Sequence, residues 1–362
     1  MNIGVVGCGN ISDVYFQNCK RFDALRVVSC SDLDPARARS KAEQHGVPRQ
    51  GTTEELLADP GVELVINLTR PPTHHEINLR ALEAGKHVYS EKPLAVRRDE
   101  GQKLLEAARA SRLRLGCAPD TFLGAALQTS RRVIDAGLIG TPVGATACMA
   151  YPGHESWHPD PEFFYQPGGG PLFDMGPYYL TALVHLLGPV RRVTSVTGKA
   201  YAERVIGSGP RQGTRFPVNV PTHVAGAMEF GNGAVATLVM SFDVWHHHLP
   251  TLEVYGTEGS LSLPDPNHFG GTVCLRKARA KTWREVACSH GYEENSRGVG
   301  AADLVHAVAE ERPHRASGEL AFHVLDVMQA FHEASDLGRA IEVASRCDRP
   351  EPMRPGLKFG EL

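Results

Sequence analysis

Two places in this 362-residue chain bring together residue types that could do chemistry. One is Lys92 in Ser90-Glu91-Lys92-Pro93-Leu94-Ala95; the other is Asp174 with Tyr178 in Gly170-Pro171-Leu172-Phe173-Asp174-Met175-Gly176-Pro177-Tyr178-Tyr179. Lys92 follows the apolar pair Val88-Tyr89, so its ammonium leaves the carboxyl end of a buried strand, the edge at which open α/β sheets bind ligands. Pro93 restrains Lys92 to extended conformations and removes a backbone donor. On a helix, Asp174 and Tyr178 stand one turn apart on one face. An ammonium stabilises a developing oxyanion, a carboxylate grips a hydroxyl, and a phenol beside an ammonium is a tunable proton carrier. His158, in His154-Glu155-Ser156-Trp157-His158-Pro159, is a second candidate base, with an ordinary pKa near ~6.5. Taken singly, the lysine reads as a surface turn, the aspartate as an N-cap and the tyrosine as core. Their company decides between the readings.

The elements that must hold these groups begin at the amino terminus. A short apolar run over residues 2–6 precedes Gly7-Cys8-Gly9-Asn10-Ile11-Ser12. This is the G-x-G-x-x-G/A fingerprint with serine in third place. Gly7 permits the tight turn, Gly9 lets a pyrophosphate approach the backbone, and the third small residue packs helix on strand. The helix starting near Ile11 points its N–H groups at the phosphates, which places Asn10 and Ile11 at the cofactor. Asp32 closes a second apolar run about 20 residues after the glycines, where a carboxylate holds the adenosine ribose. A carboxylate there repels a 2′-phosphate, so NAD is expected, with NADP possible because of Arg37 and Arg39.

Strands at 64–68, 87–90 and 114–117, with helices between, bring the count to five strands of a parallel, doubly wound sheet. Asp34-Pro35 and Thr52 or Thr53 open helices, and Thr73 caps a helix that Gly85 ends. The loop 69–74 lies over the strand ends, so Thr69 and His74 are expected beside the dinucleotide, as are Glu91 and Lys92. A loop histidine is equally a solvated residue or a helix-terminus contact. Glu91 either anchors the lysine or meets the nicotinamide ribose.

Past residue 120 the texture changes, dividing the chain into a Rossmann unit, 1–120, and an α+β unit, 121–362. A helix at 123–136 is followed by β-like runs at 143–151, 193–201, 223–230, 234–242, 252–255, 260–263, 273–276 and 284–287. Short turns such as Gly231-Asn232-Gly233 join them, so the second sheet is mostly antiparallel. Helices at 299–311 and 318–337 cover one face of this open-faced sheet. Self-association over the other face and the edges predicts a homodimer or homotetramer through this sheet. Asp174 is expected to start a helix with Pro177 in its first turn. The insertion carrying Trp157, His158 and Tyr165 suits a sugar-like ligand, because aromatic faces cover C–H surfaces while polar tips bind hydroxyls. His246-His247-His248 alternate faces on a strand and do not easily chelate one ion, so no metal is expected.

Composition narrows the class. The formal charge is -3, with no block of like charges, so neither nucleic acid nor a membrane surface is an expected partner. The eight cysteines are scattered without a C-x-x-C pair, as reduced thiols of a cytoplasmic protein would be. Strand-like sequence by Ile3 leaves no room for a signal peptide, and no apolar run approaches the ~20 residues of a membrane helix.

The turn at 7–12, Asp32, Pro71-Pro72-Thr73-His74-His75, the Lys92 segment and Asp174-x-Gly176-x-Tyr178 together resemble the Gfo/Idh/MocA family of NAD(P)-dependent oxidoreductases over nearly the whole chain. The resemblance implies a Rossmann domain, an open-faced mixed sheet and an active site between them. The implied reaction moves a hydride between NAD(P) and a secondary alcohol or ketone of a sugar, inositol or related polyol. Lys92 matches the family's catalytic lysine, and Asp174 the aspartate that binds a substrate hydroxyl or orients the acid/base. Tyr178 stands where inositol dehydrogenases have histidine, which is similar to the branch of glucose-fructose oxidoreductase and dimeric dihydrodiol dehydrogenase. Ala118-Pro119-Asp120 departs from the asparagine-arginine pattern common after the fifth strand. On this footing Tyr178 accepts the proton, its ordinary pKa of ~10 lowered by Lys92, while Asp174 grips an adjacent hydroxyl. Two alternatives stay open: a glycosidase working by transient oxidation at C3 and elimination, and a non-catalytic NAD-binding regulator.

Overall fold

Six short strands form the first sheet of the computed structural model, which describes residues 1–362: β1 (Asn2–Val6), β2 (Arg26–Ser31), β3 (Arg49–Gly51), β4 (Leu64–Asn67), β5 (His87–Ser90) and β6 (Leu115–Cys117). Their order is β3-β2-β1-β4-β5-β6, with every pairing parallel. Helices α1 (Ser12–Cys19), α2 (Pro35–His45), α3 (Thr53–Ala58), α4 (Pro71–Glu83) and α5 (Arg98–Ala110) connect the strands and cover both faces, which is why β4 is buried at every residue. The strand order reverses between β1 and β4, so the ligand crevice of this sheet opens at their carboxyl ends. The sixth strand, β3, escapes a search for apolar runs because it is an edge strand whose two longest side chains are exposed and polar.

Local chemistry sets the helix ends. Asp34 accepts the N–H of Ala36 at 3.0 Å with Pro35 in the first turn, and Thr52 and Glu55 form a reciprocal capping box. Thr73 does not cap α4. That helix starts three residues earlier because Pro71 supplies the first turn, and the Thr73 hydroxyl donates to the carbonyl of Arg70 at 2.9 Å.

The second unit holds α6 (Ala125–Asp135), β7 (Pro142–Ala150), α7 (Gly170–Leu187), β8 (Val190–Gly198), β9 (Glu203–Val205), β10 (Arg215–Pro217), β11 (His223–Phe230), β12 (Val235–Ser241), β13 (Leu252–Gly256), β14 (Gly259–Leu263), β15 (Val273–Lys277) and β16 (Arg284–Val286). Two late helices, α8 (Val299–Ala309) and α9 (Gly318–Leu337), precede a terminal strand, β17 (Ile341–Glu342). Nine of these strands form one sheet in the order β16-β15-β14-β13-β7-β12-β11-β8-β17, antiparallel except for β7 with β12. β9 and β10 form a separate two-stranded ribbon. On α7 the structure corrects the expected start. The helix begins at Gly170 with Pro171 in its first turn, so Asp174 lies within the helix and Pro177 interrupts it.

The chain then returns to the first sheet. The N–H of Cys117 donates to the carbonyl of Ala316 at 3.0 Å, and the His314 ring lies 3.0 Å from the carbonyl of Leu115. The free edge of β6 is thereby covered by the segment between α8 and α9, which prevents edge-to-edge pairing there. Arg98 of α5 reaches Asp326 and Glu333 of α9, each at 2.6 Å. No helix is long and apolar enough to cross a membrane.

One packing contact carries a pH dependence. His323 of α9 is buried, and its Nε2 accepts the N–H of Val190 at 2.9 Å, which only an unprotonated nitrogen can do. Burial pushes this imidazole down to about 4, against an ordinary value near ~6.5 in the unfolded chain. Above ~6.5 both states are neutral; below it the unfolded chain takes up a proton that the fold refuses. Stability therefore falls as pH drops from ~6.5 to about 4, by at most roughly 3 kcal/mol. Urea denaturation at pH 7 and pH 5 should show a smaller difference for His323→Gln than for wild type. An equal difference would remove His323 from the account.

Candidate active site

Lys92 lies two residues beyond β5, and its peptide bond to Pro93 is cis. The ammonium donates to the carbonyl of Asp174 at 2.6 Å and to Asp174 Oδ1 at 3.0 Å. Two of its three protons are thus committed across the crevice and one remains for a ligand. Pro177, with no N–H to give, leaves the carbonyl of Phe173 without its helical partner, so α7 is loosened on the stretch that presents Asp174. The second carboxylate oxygen, Oδ2, is 3.3 Å from His154 Nε2. His154 is buried, stacked on Phe164 with centroids 3.7 Å apart, and its Nε2 is 2.8 Å from the Tyr151 hydroxyl.

Burial pushes the Asp174 carboxyl up, but the Lys92 ammonium and His154 outweigh it and hold the group well below the usual carboxylate range. Burial likewise works against the Lys92 ammonium, yet Asp174, Tyr178 and Glu91 hold it above its ordinary value. Both partners are therefore charged at neutral pH. Glu91 uses Oε2 to accept the backbone N–H of Lys92 at 3.0 Å and Oε1 to accept the Tyr15 hydroxyl at 2.9 Å. Of its two expected roles, the geometry shows the anchoring one.

The Lys92 nitrogen is 5.1 Å from the centroid of the Tyr178 ring. Here the structure reverses an expectation. Burial pushes the phenol above its ordinary value, and the opposing pull of Lys92 and Arg297 does not cancel it. Lys92 spends its short contacts on Asp174, so its effect on the phenol acts at longer range.

At the other end of the crevice, the glycine turn fits a dinucleotide. Gly7 has φ +99°, and a Cβ there would stand 2.8 Å from the backbone of Leu68, whereas a Cβ at Gly9 would meet nothing within 4 Å. The turn is thus closed on the protein side and open on the other. Asn10 is exposed, Ile11 is half-buried, and no side chain caps the start of α1; the Ser12 N–H goes to the Gly9 carbonyl at 3.0 Å, which leaves the next N–H groups of the first turn to an anion. Asp32 accepts the N–H of Cys8 at 2.8 Å and of Asp34 at 2.9 Å, and Arg37 at 3.2 Å. The carboxylate therefore sits over the glycine turn, where a ribose would lie. Gly7→Ala should weaken NAD binding at least about tenfold, ~1.4 kcal/mol, because alanine resists this φ and its methyl group has no room. Calorimetry on the folded variant would test this, and unchanged affinity would count against the turn.

Several expected contacts lie elsewhere. His74 is 0% exposed, with Nδ1 2.7 Å from the carbonyl of Pro93 and Nε2 2.9 Å from that of Thr69. Burial holds its pKa down, so the neutral ring donates to one of these carbonyls and lies packed between the two loops, away from solvent. Thr69 is partly exposed, and its N–H and hydroxyl both go to Asn67. Tyr165 is 0% exposed and its hydroxyl donates to Glu155, which makes it a core support of the aromatic loop and no substrate contact. Trp157 is 60% exposed on the outside of that loop. His158 Nδ1 accepts the N–H of Asp160 at 3.0 Å, and burial lowers its pKa. His154, four residues earlier in the same loop, is the histidine that reaches Asp174. Asp120 is buried, and its Oδ2 accepts the N–H groups of Gly298 and Gly300 at 2.8 and 3.0 Å, so the atypical segment after β6 fixes the start of α8.

A family model described as the oxidoreductase family with an NAD-binding Rossmann fold matches residues 1–118, and one for the GFO/IDH/MocA C-terminal domain matches residues 127–262. The 1,5-anhydro-D-fructose reductase of Ensifer adhaerens is 27% identical over 349 residues, covering 94% of this chain and 98% of that protein. The inositol 2-dehydrogenase of Ralstonia nicotianae is 27% identical over 272 residues, 74% of each chain. A levoglucosan dehydrogenase in complex with NADH and L-sorbose superposes with a TM-score of 0.82 at 22% identity, over 95% of this chain and 99% of that one.

Proposed function

Because this chain belongs to the Gfo/Idh/MocA family of NAD-binding oxidoreductases, we propose that it oxidises or reduces a secondary alcohol or ketone of a sugar or polyol in the crevice between its two units. The observation that carries this reading is the Lys92–Asp174 contact. It sets an ammonium, a carboxylate and the Tyr178 phenol together at the carboxyl ends of the parallel strands. Bound NAD would supply the hydride acceptor or donor. The chain's residues handle the oxygen. The remaining Lys92 proton meets the oxygen that becomes an alkoxide, Tyr178 exchanges the hydroxyl proton, and Asp174 grips a neighbouring hydroxyl with His154 holding its second oxygen. The relatives' names point to anhydrosugars and inositols as the substrate class.

The test is a panel of anhydrosugars, aldoses and inositols, with glycosides alongside, scored for reduction of NAD. Turnover of at least one polyol is expected. No reduction with any of them would overturn the reading, and sugar release from a glycoside without net reduction would favour the glycosidase route instead.

The sheet face opposite α7 and α9 carries an apolar row across three strands, Val196 beside Ala225 beside Val239. Val196 is 74% exposed. A second copy of the chain would cover it, giving a homodimer or homotetramer. Light scattering at micromolar concentration is expected to report a dimer or larger, and a monomer would exclude this use of the face. All eight cysteines are unpaired, which suits a reducing, cytoplasmic setting.

A further inference from the structure

We infer that Arg297, which precedes α8, is the positioning residue that holds the Tyr178 phenol ready to give and take a proton. This rests on the proposed role of Tyr178 in proton transfer. Arg297 Nη2 is 3.4 Å from the phenol oxygen and donates to Asn267 Oδ1 at 2.9 Å, while Nη1 donates to Asn295 Oδ1 at 2.9 Å. The guanidinium is thus held on both sides by neutral amides and forms no ion pair with a carboxylate, unlike Arg98, Arg204 or Arg315. Its backbone is fixed as well. The Arg297 carbonyl accepts Asn18 Nδ2 at 2.9 Å, and Asp120 takes the next N–H, that of Gly298. A full charge fixed in place and not neutralised by a partner directs its field at the group beside it.

The charged and titratable groups around the phenol are few. Lys92 and Glu91 face it from the end of β5, Asp174 lies one turn earlier on α7, and Arg297 approaches from the start of α8. Lys92 exerts the larger pull toward phenolate, but its short contacts go to Asp174 and not to the phenol oxygen. Glu91 opposes phenolate formation, and burial opposes it more. Arg297 is the cation of this set that reaches the phenol oxygen itself, and Tyr178 in turn supports the guanidinium charge.

The test needs no substrate. Tyrosine labelled with ¹³C at the ring carbon bearing oxygen reports ionisation of each phenol by NMR, and Tyr178→Phe assigns the Tyr178 signal. The midpoint for Tyr178 should move up by about one pH unit or more in Arg297→Gln, the range expected for loss of a neighbouring opposite charge. Arg297→Lys should keep at least half of the wild-type effect. Asn267→Ala, which frees one side of the guanidinium, should move the midpoint in the same direction by less. An unchanged midpoint in Arg297→Gln overturns the inference. So does an equal shift in Arg297→Lys and Arg297→Gln, since charge would then be irrelevant, or a wild-type Tyr178 that does not ionise before the protein unfolds in alkali. Turnover in the polyol panel judges the oxidoreductase reading separately, so the two can fail independently.

Discussion

Lys92→Met is expected to reduce kcat by roughly 10²–10³-fold, the scale on which removal of a single oxyanion-stabilising group is felt, and to destabilise the fold at the same time. The two effects have different causes. Asp174 is ionised in the wild type because Lys92 and His154 overcome burial. Without the ammonium, an ionised carboxylate is left in the crevice with less compensation, and breaking a buried pair by removing one partner costs about 3–5 kcal/mol. Burial then raises the Asp174 pKa above its ordinary value. A carboxyl whose folded pKa exceeds its unfolded one binds more protons in the folded state, so the variant's deficit against wild type shrinks as pH falls. Denaturant titrations at pH 7 and pH 5 check this sign. Lys92→Met/Asp174→Asn separates structure from chemistry. The double variant should recover most of the stability and none of the turnover. Recovery of turnover along with stability would show the lysine to be structural.

How much of this was open to sequence reasoning depended on the range over which each feature is determined. The glycine turn, Asp32 and the Lys92 segment are set by backbone chemistry within a few residues, and the structure has them where the spacing implies. The helix expected at 318–337 was legible for the same reason, since Ser317 caps it and Gly338 ends it. Features set by packing were not. His154 and His158 share one loop and one composition, and only the path of that loop brings His154 to Asp174 while turning His158 toward its own backbone. The aromatic composition of the loop singled out His158, whereas the histidine that reaches Asp174 is His154. Tyr165 carried the same signal and lies in the core. The direction of the Tyr178 shift depends on whether burial exceeds the field of its cations, which no spacing reveals. Arg297 belongs to no motif and meets Tyr178 from 119 residues away.

Tyr178→Phe is the second large effect, and its pH dependence distinguishes it from Lys92→Met. A general acid or base contributes about 10²–10⁴-fold, so a loss of that size in kcat is expected, with KM changed little because the ring still packs. In alcohol oxidation the active form is the phenolate. Burial holds the phenol above its ordinary value despite Lys92 and Arg297, so at neutral pH the phenolate is the minor form. Its share rises about tenfold per pH unit below the midpoint. Wild-type oxidation should therefore climb on the alkaline side, while ketone reduction, which uses the protonated phenol, should be flat through neutral pH and decline only in alkali. Tyr178→Phe should lose both limbs together. His158→Ala should keep both, since that ring is tied to the backbone of Asp160. Near-full kcat in Tyr178→Phe, with the alkaline climb intact, would move proton transfer to another group. His154, 3.3 Å from Asp174, would then be the first to substitute.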